Sequence, residues 1–153
     1  MPNAGEIIRA TDIYADAWTS YTPTWGSSGT QPAIGNGTVT GSYALIPNAA
    51  AKTCAVSIHV TMGSTTTYGT GNYTLSLPFT PVSKGRTSLN ATLTDVSGGD
   101  VYWGLLYWTT TTAANLVYIN VANGRFASVS NTAPVTWATP MPPSTSFKVA
   151  LSV

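Results

Sequence analysis

The sequence predicts an all-β chain, an antiparallel β-sandwich with a jelly-roll-like character and about eight strands. Three observations lead to this prediction. Apolar and polar residues alternate with period two over much of the chain after Thr38. Threonine and serine number 26 and 15 of the 153 residues, and threonine is enriched in strands together with the valine, tyrosine and tryptophan that are plentiful here. Glycine, proline and asparagine turn signals separate the alternating runs at short intervals.

Charge is scarce, since charged residues make up 7% of the chain where about 25% is ordinary. The net charge of +1 argues against nucleic-acid binding by counterion release. A hydrophobic content of 43% argues against intrinsic disorder, and a single cysteine cannot form an internal disulfide. No run approaches the ~18 apolar residues of a membrane helix, and no signal-peptide pattern opens the chain. We therefore expect a protein made in the cytoplasm, without membrane insertion.

The N-terminal segment differs from the rest. It holds apolar and aromatic residues at a spacing that favours a short helix, and such a helix is marginal in water unless it packs on something. We therefore predict a docking arm over residues 1–24, helical in part, followed by a β-sandwich domain over residues 25–153. Residues 19–37, rich in proline and glycine, are interpreted as a connector.

The strand predictions follow from alternation. Predicted strands cover residues 38–45, 53–62, 72–77, 89–93, 101–108, 116–121, 125–130 and 146–153. The clearest is 53–62, where Val56 and Ile58 face one way and His59 the other. Asn123-Gly124 predicts a hairpin between the sixth and seventh strands.

The strand 101–108 is apolar on both faces, with Trp103 and Tyr107 on one side and Tyr102 and Trp108 on the other. One set is expected to fill the core. The other either lies in a subunit interface, which we favour, or stacks against a glycan.

Candidate catalytic residues are few. His59 lies on the polar face of its strand, which favours a surface or interface histidine over a catalytic base or metal ligand. Cys54 shares the apolar face with Val56, which favours a buried thiol over a nucleophile. Gly35-Asn36-Gly37-Thr38 lacks the lysine of a phosphate loop and predicts a tight turn into a strand.

Two carboxylate pairs remain. Asp95 and Asp100 flank a Ser-Gly-Gly turn, and turn chemistry explains them more simply than a glycosidase or a calcium site. Asp12 and Asp16 would repel each other on a helix unless one caps it or meets Arg9. We expect no catalytic set, no cofactor and no metal.

Several runs resemble a β-module of virion proteins from tailed bacteriophages that infect actinobacteria. They are Gly-Asn-Gly-Thr-Val-Thr-Gly-Ser-Tyr at 35–43, the strand and threonine-rich loop at 56–71, Leu-Ser-Leu-Pro at 75–78 and Ala-Pro-Val-Thr-Trp-Ala at 133–138. Residues 5–13 are similar to the leader of such proteins. Family members usually carry a basic pair and a glycine turn where this chain has residues 46–52, so loop contacts are not transferred.

The resemblance implies a non-enzymatic structural protein of the virion that forms a homotrimer. One position is that of a head decoration protein, held on the major capsid protein by its arm. The docking residues would be Ile7, Ile8, Arg9, Ile13, Tyr14 and Trp18. The alternative is a tail-fibre receptor-binding module that grips host glycans through Trp103, Tyr107 or Trp108. Because the sequence shows no long shaft, we favour the head decoration role over the tail-fibre role.

Overall fold

The computed structural model describes residues 18–46, 53–80, 88–95, 98–108, 113–137 and 146–150, and all regular structure in these ranges is β. The predicted all-β class is confirmed. The strands are β1 (Thr19–Tyr21), β2 (Trp25–Ser27), β3 (Thr38–Ile46), β4 (Thr53–Thr61), β5 (Tyr73–Ser76), β6 (Ser88–Asp95), β7 (Asp100–Trp108), β8 (Ala113–Asn120), β9 (Arg125–Ser128) and β10 (Ser146–Ala150).

The described chain has ten strands instead of about eight. The two additional strands, β1 and β2, lie in the stretch interpreted as a connector. Each has three residues, which is too short for an alternation to be visible, and each is recruited by a distant partner. Thr19 lies opposite Tyr43 of β3, and Trp25 lies opposite Leu75 of β5. The chain therefore joins the sheet from Thr19 onwards.

The strands form one hydrogen-bonded ladder in the order β1-β3-β4-β10-β6-β7-β8-β5-β2, with β9 also paired to β8. Every pair is antiparallel. A flat ladder of this width would separate its edges by about 38 Å. The edge strands β1 and β2 are nevertheless joined by only three residues, which span at most about 14 Å. The ladder must therefore fold over on itself, which gives the sandwich-like fold its enclosed core.

The core is built from the inward faces of the strands. On β4 the side chains of Val56, Ile58 and Val60 are buried, as the alternation predicts. They share one cluster with buried residues of the other strands and loops, which are Trp25, Met62, Tyr68, Tyr73, Leu75, Ala91, Leu93, Leu106, Ala114, Leu116, Val129 and Trp137. The described part of the chain contains no helix that is long and apolar enough to cross a membrane.

Candidate functional site: an outward apolar face

Strand β7 has one buried and one exposed side. Leu106 is fully buried, and Tyr102 packs against the core with its ring 6.4 Å from that of Tyr118, edge to face. Trp103, one residue further along, is 66% exposed. The alternation of β7 is thus as predicted, and the structure assigns the side of Trp103 and Tyr107 to the outside.

The exposed aromatic of β7 has apolar neighbours on the next two strands. Gly104 lies opposite Tyr118, so continuing this register by one residue places Trp103 beside Ile119. Ile119 lies opposite Phe126 of β9. Directly opposed residues of antiparallel strands point to the same side, so Trp103, Ile119 and Phe126 form one row.

We call this surface the apolar face, and we define it by its five exposed members. They are Val101 (53% exposed), Trp103, Ile119 (41%), Val121 (92%) and Phe126 (57%). Partly buried Leu105 and Tyr107 and buried Val117 continue the same side of β7 and β8. Exposed large hydrophobic residues that are contiguous mark interaction sites in soluble proteins, whereas scattered ones are ordinary.

The rest of the outward side is polar. Thr92 of β6 lies opposite Trp103, and the same row continues through the register positions of Lys148, His59 and Thr40. The outward side therefore divides into a half rich in hydroxyl groups on β3, β4 and β6 and the apolar face on β7, β8 and β9.

Few charges border the apolar face. Among residues with described side chains, the acidic and basic ones are Asp95, Asp100 and Arg125. Asp100 directly precedes Val101, and Arg125 directly precedes Phe126. Strands β7 and β9 run in the same direction, because each is antiparallel to β8, so these two opposite charges lie at the same end of the sheet. Each is one residue out of phase with the apolar face and therefore lies on the other side of the sheet.

Strand β4 carries two of the candidate chemical groups. His59 is half-buried on the outward side, and its Nε2 lies 3.5 Å from Oγ1 of Thr61. Cys54 is half-buried on the inward side, and burial raises the pKa of its thiol. A thiol with a raised pKa is mostly protonated at neutral pH, which disfavours nucleophilic attack.

The Asp95–Asp100 pair closes the β6–β7 hairpin. Both Oδ2 atoms lie close to Gly98, at 3.3 and 3.1 Å from the position a Cβ would take there. Asp95 is buried, and the Tyr102 hydroxyl donates a 3.4 Å hydrogen bond to Asp100. Burial, followed by the charge of Asp100, raises the pKa of Tyr102. The described residues contain no group of three side chains suited to hold a metal ion.

The predicted docking residues are only partly visible. Trp18 is 54% exposed immediately before β1. Ile7, Ile8, Arg9, Ile13 and Tyr14 lie outside the described residues. Trp108 ends β7, and its side chain also lies outside the described part.

Sequence reasoning missed the three members of the apolar face that lie beyond β7, which are Ile119, Val121 and Phe126. A signal was present, because Asn123-Gly124 predicted the hairpin that now joins β8 and β9. Pairing Asn120 with Arg125 across that turn would have placed Ile119 opposite Phe126. Joining this pair to Trp103 required the β7–β8 register as well.

No family model, curated protein or solved structure matches this chain.

Proposed function

We propose that this chain is a non-enzymatic structural protein of a bacteriophage virion, which assembles with other protein subunits through its apolar face. The role we favour is that of a capsid decoration protein. Its docking arm on the major capsid protein would be residues 1–17, the part of the predicted arm 1–24 that precedes the sheet. The homotrimer that the sequence resemblance implies remains part of this proposal.

The observation that carries the proposal is the exposure of Trp103 and Phe126 on β7 and β9, the two strands that flank β8 on one side of the sheet. Large aromatic side chains dominate the energetics of protein interfaces when they become buried. Leaving both in water is unfavourable for an isolated subunit, whereas an assembled particle can cover them. The low charge of the chain supports the same conclusion, since charge is depleted at the centre of interfaces.

The test is the location of the protein on purified particles. We expect many copies distributed over the shell, measured by labelling with an antibody and by quantitative mass spectrometry. Deleting residues 1–17 should abolish particle occupancy while leaving the fold intact, since the deletion removes no residue of the ten strands, the first of which begins at Thr19. Undiminished occupancy of the truncated chain would contradict the docking arm, and a few copies at the tail tip would contradict decoration.

A glycan-binding module at the tail remains the second candidate, favoured by one observation. Trp103 offers an exposed ring directly beside Thr92, so a sugar could stack on the indole and hydrogen-bond to the hydroxyl. Binding of the full chain to a glycan array, lost in Trp103→Ala and weakened in Thr92→Val, would favour this function. Absence of binding by the full chain would exclude it.

A further inference from the structure

The exposed area of the apolar face indicates what kind of partner covers it. Its five members together expose on the order of 500 Å² of side chain. Two such faces in contact would bury about 1,000 Å², which is the lower limit for a specific interface. A single small ligand would leave most of this surface in water.

The charge of the face also restricts its partner. None of its five members is charged, so a nucleic acid or another strongly charged partner would find no complementary groups. A copy of the same neutral face brings no like charges into contact. A second copy of the chain is therefore the partner that both the area and the charge favour.

We propose that two copies of this chain pack apolar face against apolar face, about a twofold axis that runs along β8. This inference rests on the proposed assembly function and specifies its partner. It is compatible with the proposed homotrimer only where a second surface forms the trimer and the apolar faces join two trimers into a hexamer. Sheets that pack face to face keep their strands nearly aligned, which is compatible with such an axis. A twofold contact uses the same patch on both subunits, so the patch must be complementary to itself.

The row of three residues meets this requirement. The axis lies in the interface and runs parallel to β8. It places Ile119 against Ile119 of the second copy, and it brings β7 of one copy over β9 of the other. Trp103 then packs on Phe126 of the second copy, and this contact occurs twice. Each aromatic side chain meets an apolar partner, and the hydroxyl-rich half of the sheet stays in solvent.

The first test is the mass of the full chain in solution, measured by sedimentation equilibrium over a range of concentrations. We expect a dimer, or a larger assembly with an even number of copies. Trp103→Ser and Phe126→Ser should each halve the mass of the assembly or raise its dissociation constant at least about tenfold. Leu45→Ser is the matched control, because Leu45 is 40% exposed outside the apolar face, and it should leave the mass unchanged. Unchanged circular dichroism and unfolding midpoints establish that the variants fold.

The second test addresses the axis. Because sheets packed face to face lie about 10 Å apart, too far for a direct disulfide, the test uses a thiol crosslinker about 8 Å long. Ile119→Cys should give a covalent dimer with this crosslinker, whereas Val101→Cys, on the same face but away from the axis, should not. The wild-type chain, with Cys54 alone, controls for crosslinking through that thiol.

Each alternative outcome contradicts a definite part of the inference. A monomeric wild-type chain overturns it, and so does a mass that Trp103→Ser leaves unchanged. A trimer that Trp103→Ser converts to monomers overturns the twofold arrangement while retaining the face as an interface. The virion role is judged separately, by occupancy on particles, so a monomer that still decorates the shell would refute only the twofold contact.

Discussion

Asn36 accepts two hydrogen bonds from Thr65 through its Oδ1 atom, one from the backbone N–H and one from the hydroxyl, each 3.0 Å long. Its own backbone N–H donates to Thr65 Oγ1 at 2.9 Å, and its Nδ2 donates to Ser64 at 3.1 Å. Through these hydrogen bonds Asn36 links the turn before β3 to the turn after β4. Asn36→Ala should lower the free energy of unfolding by about 1.5 kcal/mol, because the exposed turn can rehydrate part of what it loses.

Chemical denaturation with an unchanged m-value would measure this loss. Asn123→Ala is the matched control, because the Oδ1 of Asn123 accepts a single 3.0 Å bond from Arg125 N–H in an exposed hairpin turn. We expect the control to cost less than half as much. Equal effects of the two substitutions would show that the link between the turns adds nothing beyond local turn preference.

The sequence predicted where most strands lie and which way their side chains point, but it did not predict which strands pair. Period two alone gave the inward and outward sides of β4 and β7, because each face of a strand meets a single environment. It could not show that β10 lies between β4 and β6, since such a pairing is a property of the whole ladder. The apolar face depends on β7, β8 and β9 together. Local pattern could give its β7 residues and the Ile119–Phe126 pair across the hairpin, but not that the two lie side by side.

Gly104 of β7 is predicted to be the most sensitive glycine of the sheet. A methyl group there would overlap the backbone carbonyl oxygen of Val117 on β8, and neither strand can move without disturbing the core. Gly104→Ala should destabilise the fold by about 3 kcal/mol. Gly99→Ala is the comparison: it has a positive φ of 73° but nothing within 4 Å of the added carbon. It should cost about 1 kcal/mol. Thermal unfolding of both variants measures the difference, and a Gly104→Ala variant as stable as Gly99→Ala would contradict the close approach.

Because the hydroxyl of Tyr73 is buried, we predict that the fold becomes less stable in alkaline solution. The ring of Tyr73 is buried, and its hydroxyl donates a 2.8 Å hydrogen bond to the carbonyl of Tyr68. Burial, with a smaller contribution from Tyr68, raises the pKa of Tyr73 well above its ordinary value of 10.0. The unfolded chain therefore loses this proton at a lower pH than the folded chain. The stabilisation is complete below pH 10 and declines above it, by about 1.4 kcal/mol per pH unit for each such tyrosine.

Denaturant midpoints between pH 8 and pH 11 would show this decline. Tyr73→Phe should be less stable than the wild type at pH 8, because the Tyr68 carbonyl loses its donor, yet it should show a shallower pH dependence. Tyr21, whose pKa is also raised mainly by burial, should retain its share of the dependence in that variant. An identical pH dependence in Tyr73→Phe and wild type would contradict the assignment.

Asp100 and Arg125 predict that the proposed twofold contact is insensitive to charge reversal. Asp100 directly precedes Val101 on β7, and Arg125 directly precedes Phe126 on β9, so both lie on the side of the sheet opposite to the apolar face. Arg125→Glu and Asp100→Lys should therefore change the dissociation constant of self-association by less than about threefold, at low salt as at high salt. Trp103→Ser, which removes a side chain of the face itself, should raise this constant at least about tenfold in the same sedimentation experiment. A charge reversal as damaging as Trp103→Ser would place these charges inside the contact, and the axis along β8 would have to be abandoned.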